Sequence, residues 1–251
     1  MIDIHCHVFP KLSDGPKDAE VSRQIIRDAA AAGVTVMVGV CHCEPGIGEK
    51  IDAALLEMAP FAAEHGIHLT GSIEYNYGDI EDQHTFRTLT GDDSWILVDF
   101  KSNQLPISAL SCFDELAARG IKVVAVHPET LFSPKEMPAL TRLWQSGTVF
   151  QLNAASFLPD APVNVRRMAD RMLRRGLAGV IASDAHNGGR RRHRMGEARA
   201  RIEGRYGRET AQMLFDFNPR RLLENTAPVP LLPLPTVGEM VLNKFKNLFR
   251  R

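Results

Sequence analysis

The sequence is poor in cysteine and in aromatic residues and has no surplus of charge. Its four cysteines (Cys6, Cys41, Cys43 and Cys112) include no C-x-x-C pair and are too sparse for a disulfide scaffold in 251 residues. They read as reduced thiols serving as small apolar filler. Leu12, Ile47, Glu49 and Ala118 stand six positions after them, where a cysteine phosphatase needs arginine, so that mechanism is excluded. Thirty Lys and Arg balance thirty Asp and Glu, leaving no overall field to draw in nucleic acid. No stretch approaches the ~20 apolar residues of a spanning helix, and MIDIHCHVFP has neither the basic nor the apolar region of a signal peptide. A cytoplasmic protein is expected. The first strand runs into neither G-x-G-x-x-G nor G-x-x-x-x-G-K-[ST], so nucleotide binding on a doubly wound sheet has no support.

What is present has the balance of a globular protein, with 24% charged and 44% hydrophobic residues. Short β-branched runs at 2–4, 34–40, 68–73, 95–100, 122–126, 149–153 and 180–183 read as strands. Helical periods at 18–32, 48–65, 108–119, 135–146 and 163–175 lie between most of them, several closed by a glycine (Gly33, Gly66, Gly120, Gly147, Gly176) where a C-cap needs one. Repeated βα units imply parallel strands. The fold class expected is α/β, a distorted seven-stranded (β/α)7 barrel of the TIM-like kind spanning residues 1–227.

The zero net charge conceals an asymmetry. Residues 228–251 hold Lys244, Lys246, Arg250 and Arg251 against Glu239, a net of +3 that leaves −3 on the preceding 227 residues. Pro228, Pro230, Pro233 and Pro235 favour an extended linker over 228–236. Val237, Met240, Val241, Phe245, Leu248 and Phe249 then recur at helical spacing, so a basic amphipathic helix is expected over 237–251. It can dock on its own domain, on a second subunit, or on a membrane surface or partner.

In parallel α/β folds the chemistry sits at the C-terminal ends of the strands. Those ends carry His5 and His7, His42, Glu74, Asp99, His127, and finally Asp184 with His186. The i, i+2 spacing of His5 with His7, and of Asp184 with His186, puts each pair on one face of an extended chain. Five imidazoles and three carboxylates converging without a cation would leave buried charge uncompensated, so a metal site is expected. Mixed imidazole and carboxylate donors with almost no thiolate suit Mn2+, Fe or Zn2+. Eight ligands are too many for one ion. Two or three ions follow, with Glu74 as the candidate bridging carboxylate.

Such a cluster lowers the pKa of a bound water to near neutrality and clamps the attacking and leaving oxygens of a displacement at phosphorus. Hydrolysis of a phosphate ester by a metal-activated hydroxide is the expected reaction. The run Arg190, Arg191, Arg192, His193, Arg194 begins four residues after His186 and offers guanidinium forks for phosphate oxygens. Arg191 is favoured for that role, with Arg190 beside it.

Together, M-I-D-I-H-C-H at the start, S-D-G-P at 13–16, V-C-H at 40–42, D-F at 99–100, A-V-H-P-E at 125–129, S-D-A-H-N at 183–187 and F-N-P-R at 217–220 resemble the PHP superfamily. Within it they resemble the CpsB/CapC branch of manganese-dependent protein-tyrosine phosphatases from bacterial capsule and exopolysaccharide operons. H-x-H is shared with amidohydrolases; D-G-P and N-P-R discriminate. The resemblance implies a trinuclear site on the ligands named above, Asp14 of D-G-P as a further catalytic candidate, and manganese as the metal. It also implies a phosphotyrosine substrate, typically in the C-terminal tail of a bacterial tyrosine kinase. A phenol leaves readily, its pKa being ≈ 10. Family members commonly carry arginine directly after H-x-E, where this chain has Thr130, so the arginines after Asn187 are expected to do more. Glu74 also follows Gly71 one residue later than the usual G-x-E, and Tyr75 and Tyr77 read either as packing residues or as flanks of an aromatic substrate ring. Two rival readings stand beside this one. One is a PHP-type phosphatase of a small ester such as histidinol phosphate; the other is a non-catalytic scaffold that binds a kinase tail.

Overall fold

The computed structural model describes residues 1–80, 83–91 and 94–233. Seven strands, β1 (Ile2–Cys6), β2 (Val36–His42), β3 (His68–Asn76), β4 (Trp95–Asp99), β5 (Lys122–Val126), β6 (Val149–Asn153) and β7 (Val180–Ala182), form one parallel sheet in sequential order. Nine α-helices occur among the described residues: α1 (Ala19–Ala31), α2 (Ile47–Glu64), α3 (Ala109–Ala118), α4 (Pro128–Leu131), α5 (Met137–Gln145), α6 (Val163–Arg174), α7 (Met195–Tyr206), α8 (Arg208–Gln212) and α9 (Asn218–Leu223), with a π-helical turn (Met213–Phe217) before the last.

Strand alternation divides the apolar residues into two cores. Ile2, Ile4, Val38, Val40, Trp95, Leu97, Val124, Val126, Val149, Val180 and Ala182 meet inside the sheet, and Leu222 of α9 joins them there. The opposite parity (Met37, Cys41, Ile96, Val98, Val123, Ala125, Phe150, Ile181) packs outward against Ile25, Ile51, Met58, Leu116, Leu140 and Met172 of the helices. The curled sheet thus has a filled lumen and a helical coat. The last strand forms no ladder with the first. That seam is closed by backbone bonds, Asp184 N–H to His5 O (2.9 Å) and His7 N–H to Ala185 O (2.8 Å), and by Ser183 N–H donating to Asp3 Oδ1 (3.0 Å).

Two backbone irregularities aim side chains into the mouth. Asp3 pairs with Met37 but Cys6 with Gly39, so β1 accommodates one extra residue as a bulge. It flips the alternation: Ile2 and Ile4 face the lumen, Cys6 joins the outer core, and His5 and His7 turn inward. At the end of β5, His127 takes a left-handed backbone (φ 36) that swings its ring inward, against strand parity.

β3 runs on to Asn76, so Glu74 lies within the strand rather than after it, directly opposite His42 of β2. α7 gave no clear signal because its buried face is only Met195, Ala198 and Ile202, interrupted by glycines and arginines. Residues 228–233 are irregular, as expected of a proline-rich segment, but they lie on the body: Asn218 Nδ2 donates to Gly179 O and Val229 O, and Val229 N–H donates back to Asn218 Oδ1, each at 2.9 Å. The amphipathic helix expected over 237–251 lies outside the described residues.

Asn218, the asparagine of F-N-P-R, is therefore a staple between the start of β7 and the outgoing chain. Asn218→Ala is expected to destabilise the protein by about 3 kcal/mol, roughly 1 for each hydrogen bond lost, read as a lower denaturant midpoint at unchanged slope.

Candidate metal centre

Glu74 occupies the centre of the mouth with no accessible surface. Its Oε2 lies 3.5 Å from His5 Nε2, 3.1 Å from His7 Nε2 and 3.1 Å from His42 Nδ1, and its Oε1 lies 3.2 Å from His127 Nε2. Asp14 reaches His7 Nδ1 (3.2 Å), His42 Nε2 (3.4 Å) and His186 Nε2 (3.0 Å). Asp184 approaches His5 Nε2 at 3.7 Å. Among the described residues, three overlapping groups have donor atoms within 4.8 Å of one another: His7, Asp14, His42 and His186; His5, His7 and Asp184; His5, Glu74 and His127.

Divalent cations suit this set. Glu74 Oε2, His7 Nδ1, His42 Nδ1 and His127 Nδ1 are buried without a hydrogen bond, a costly state unless something else compensates them. The Nε2 atoms of His5 and His7 face each other at 3.2 Å. His5 is also set in the right tautomer. Asp184 Oδ2 can only accept, so Asn153 Nδ2 donates to it (2.7 Å); Asn153 Oδ1 then accepts from Gln151 Nε2 (2.8 Å), and Gln151 Oε1 accepts from His5 Nδ1 at 2.9 Å. The proton is fixed on Nδ1 and the Nε2 lone pair points into the cluster.

Of the residues singled out in the sequence, seven of the eight expected ligands fall in these groups, and Asp14 joins them. Asp99 does not: it lines the same cavity, but its carboxylate holds Lys101 by both Nζ and backbone N–H, each at 2.9 Å. Arg191 donates through Nη2 to both oxygens of Asp184 (3.0 Å each), with Nη1 3.6 Å from Asp14. An Asn187 turn brings it there, Asn187 Oδ1 accepting from Gly189 N and Arg191 N. Arg190 is exposed at the rim. Arg192 and Arg194 pair with Glu197, and the wholly buried His193 anchors the loop on Asp3 (3.2 Å). Asp14 sits on a tight turn in which a Cβ at Gly15 would meet Phe9 O at 2.8 Å. Tyr75 and Tyr77 are packing residues, against Phe86 and Phe100 respectively.

Gln151, Asn153 and Lys101 were missed in the sequence. Gln151 and Asn153 had left a signal, two amides at lumen positions of the otherwise apolar strand V-F-Q-L-N.

A family model for capsular polysaccharide synthesis, CpsB/CapC, matches residues 1–224. The chain belongs to the CpsB/CapC family. It is 29% identical over 235 residues to the tyrosine-protein phosphatase YwqE of Bacillus subtilis, covering 90% of this chain and 92% of that protein. It is 27% identical over 238 residues to the tyrosine-protein phosphatase CpsB of Streptococcus pneumoniae, covering 89% and 98%. The fold matches a solved structure from work on YwqE and CpsB, described as unique metal-dependent tyrosine phosphatases, with a TM-score of 0.81 and 26% identity over 94% of this chain and 99% of that one.

In this CpsB/CapC chain, the buried carboxylates set the protonation of the imidazoles around them. Burial opposes charge on His7, but Asp14 and Glu74 outweigh it and raise its pKa to about 9. His127 is likewise raised to about 9, by Glu74, Asp184 and Asp99 against burial. Burial pushes Asp184 up, but His5, His127 and Arg191 bring it down to about 2. Glu74 is held well below the carboxylate range, its imidazole neighbours overcoming burial.

Two predictions follow from this balance. His7 and His127 stay protonated until the pH nears 9, so divalent metal binding at pH 7.5 should release about two protons, and its affinity should rise from pH 6 toward 9. Calorimetry in buffers of different ionisation enthalpy checks this. Gln151→Leu removes the acceptor that orients His5, and should weaken metal binding about 10- to 100-fold, as read by competition with a chelating dye.

Proposed function

We propose that this chain is a metal-dependent phosphatase that hydrolyses phosphotyrosine on a protein. The observation that carries the reading is Arg191 laid across Asp184 and Asp14 at the edge of three cation-shaped donor groups. We assign His5, His7, His42, Glu74, His127, Asp184 and His186 as ligands with Asp14 among them, Glu74 as the shared carboxylate, and Asp99 as a ligand only once it releases Lys101. Three ions fit the three groups, and manganese suits the oxygen and imidazole donors. Such ions supply a nucleophile at neutral pH and positive charge for phosphoryl oxygens.

The chain's own residues do the rest. Arg191, at the edge of the cluster beside Asp184 and Asp14, supplies the planar fork that would take the non-bridging oxygens of a phosphoryl group. Arg190 and Lys101 add positive charge to the lining, and Asp99 outweighs burial to keep Lys101 charged. Thr130 contributes no charge, and its hydroxyl is spent on His127 O (2.8 Å). Asp14 is held below its usual range by His186, His42 and His7 despite burial. It therefore acts as a ligand and acceptor rather than as a proton donor. The cavity measures about 590 Å³, and Ala155, Ala161, Pro162 and Val165 give it an apolar wall against which an aryl ring can lie. The family description supports a partner in capsular polysaccharide synthesis, and we infer the tail of a bacterial tyrosine kinase.

Turnover of p-nitrophenyl phosphate should be lost on thorough chelation and restored by Mn2+. Arg191→Ala should lower kcat/KM at least about tenfold, or about 1.4 kcal/mol of transition-state binding. A panel of phosphotyrosyl peptides against histidinol phosphate separates the protein substrate from the small-ester alternative; preference for the ester would overturn the substrate assignment.

A further inference from the structure

The segment that carries Arg191 has little in its own sequence to hold it in one place. It runs N-G-G-R-R-R from Asn187 to Arg192, two glycines followed by three like charges, a composition that leaves the backbone free. The His186 and Asn187 N–H groups both donate to Arg191 O (2.9 and 3.3 Å), and Asn187 Oδ1 accepts from Arg191 N–H. These bonds tie the segment to the residues just before it, on the β7 side of the open seam. Arg191 has to reach further, since Asp184 follows β7 whereas Asp14 follows β1, and its guanidinium spans the two. No strand ladder fixes the spacing of those two sides. The ion pairs of Arg192 and Arg194 end on the exposed carboxylates of Glu197 and Asp160, where such pairs contribute little.

His193, two residues after Arg191, crosses the seam. Its Nε2 lies 3.2 Å from Asp3 Oδ2 in β1, and neither side chain has accessible surface. A carboxylate only accepts, so Nε2 carries the proton. The other ring nitrogen, Nδ1, is buried without a hydrogen bond, so Asp3 is the polar partner that holds the imidazole. Asp3 Oδ1 meanwhile accepts from His5 N–H (3.3 Å) and Ser183 N–H (3.0 Å). One buried carboxylate therefore joins the strand that carries His5 and His7, the strand end that leads into Asp184, and the loop that carries Arg191. A charge-assisted bond shut off from water holds geometry better than pairs at the rim.

We propose that His193 is a positioning residue for Arg191. Its bond to Asp3 sets how far the guanidinium fork reaches across the seam and keeps it in register with the metal ligands on both sides. His193 contributes no surface to the catalytic cavity, so it acts through Arg191 and not on the substrate. Displacing a positioned group by about 1 Å can cost on the order of 100-fold in rate. The inference rests on the phosphate-gripping role assigned to Arg191 above.

The test is a double-mutant cycle in kcat/KM for p-nitrophenyl phosphate, with the manganese-loaded full chain. His193→Asn, whose amide is too short to reach Asp3, should lower kcat/KM about tenfold. His193→Gln, whose amide nitrogen can stand where Nε2 stood, should recover most of that loss. In the Arg191→Ala background the asparagine substitution should cost less than about twofold, because no fork is left to misplace. Manganese affinity of His193→Asn, read by competition with a chelating dye, should stay within about twofold of the parent. A purely structural role would lower activity by the same factor with and without Arg191, and that result overturns the proposal. So does an asparagine variant as active as the parent, or one that has lost its manganese. Loss of the folded state in both His193→Asn and His193→Gln, or in the asparagine variant alone, would make the bond a support of the whole barrel and overturns it as well. An Arg191→Ala variant as active as the parent is a different outcome: it removes the phosphate grip from the proposed function, and the positioning of that grip fails with it.

Discussion

A carboxylate with no solvent contact, Glu74, stands among four imidazoles at the centre of a barrel mouth. Burying an ionised group is tolerable only if positive charge surrounds it. The local architecture serves that requirement. Asp14 and Asp184 extend the negative set to either side, Arg191 spans the two, and the carboxylates raise the pKa of His7 and His127. The carboxylates that favour protonated imidazoles also favour divalent cations, and metal competes better as the protons leave.

The backbone is shaped to this end. A regular β1 would have sent His5 and His7 outward, away from Ile2 and Ile4; one extra residue reverses that. His127 reaches Glu74 only through a left-handed turn at the end of β5. The seam between β7 and β1, where the barrel lacks a ladder, is where Asp184 and His186 meet His5 and His7, and Ser183 and His193 both bind Asp3 there. The gap in the sheet and the chemistry coincide, since loops at an open seam can place ligands that a continuous ladder could not.

Much of this was legible in the sequence. Alternating β-branched runs and glycine-closed helices gave seven parallel strands, because each strand's two faces are both buried and therefore apolar. The polar residues at strand ends stood out against that background, so the histidines and acids were readable as one constellation. The bulge was less visible, although I-D-I-H-C-H contains two inward pairs out of phase by one residue. Asp99 sat at the right strand end, but its capture by Lys101 depends on the backbone after β4, where Lys101 itself has φ 51. The arginine run looked like one charged patch. In the fold its members diverge, Arg191 to the ligands, Arg192 and Arg194 to Glu197, with His193 buried between them. α7 escaped notice because an arginine-rich, glycine-interrupted helix with three buried residues has almost no periodic signal.

The central claim is that one buried carboxylate organises three adjacent cation sites. Anomalous diffraction from manganese-loaded crystals, recorded on either side of the manganese absorption edge, tests it most directly. The account predicts an anomalous peak at each of the three donor groups, with Glu74 touching more than one. A single peak, or a Glu74 carboxylate that contacts no ion, would contradict it.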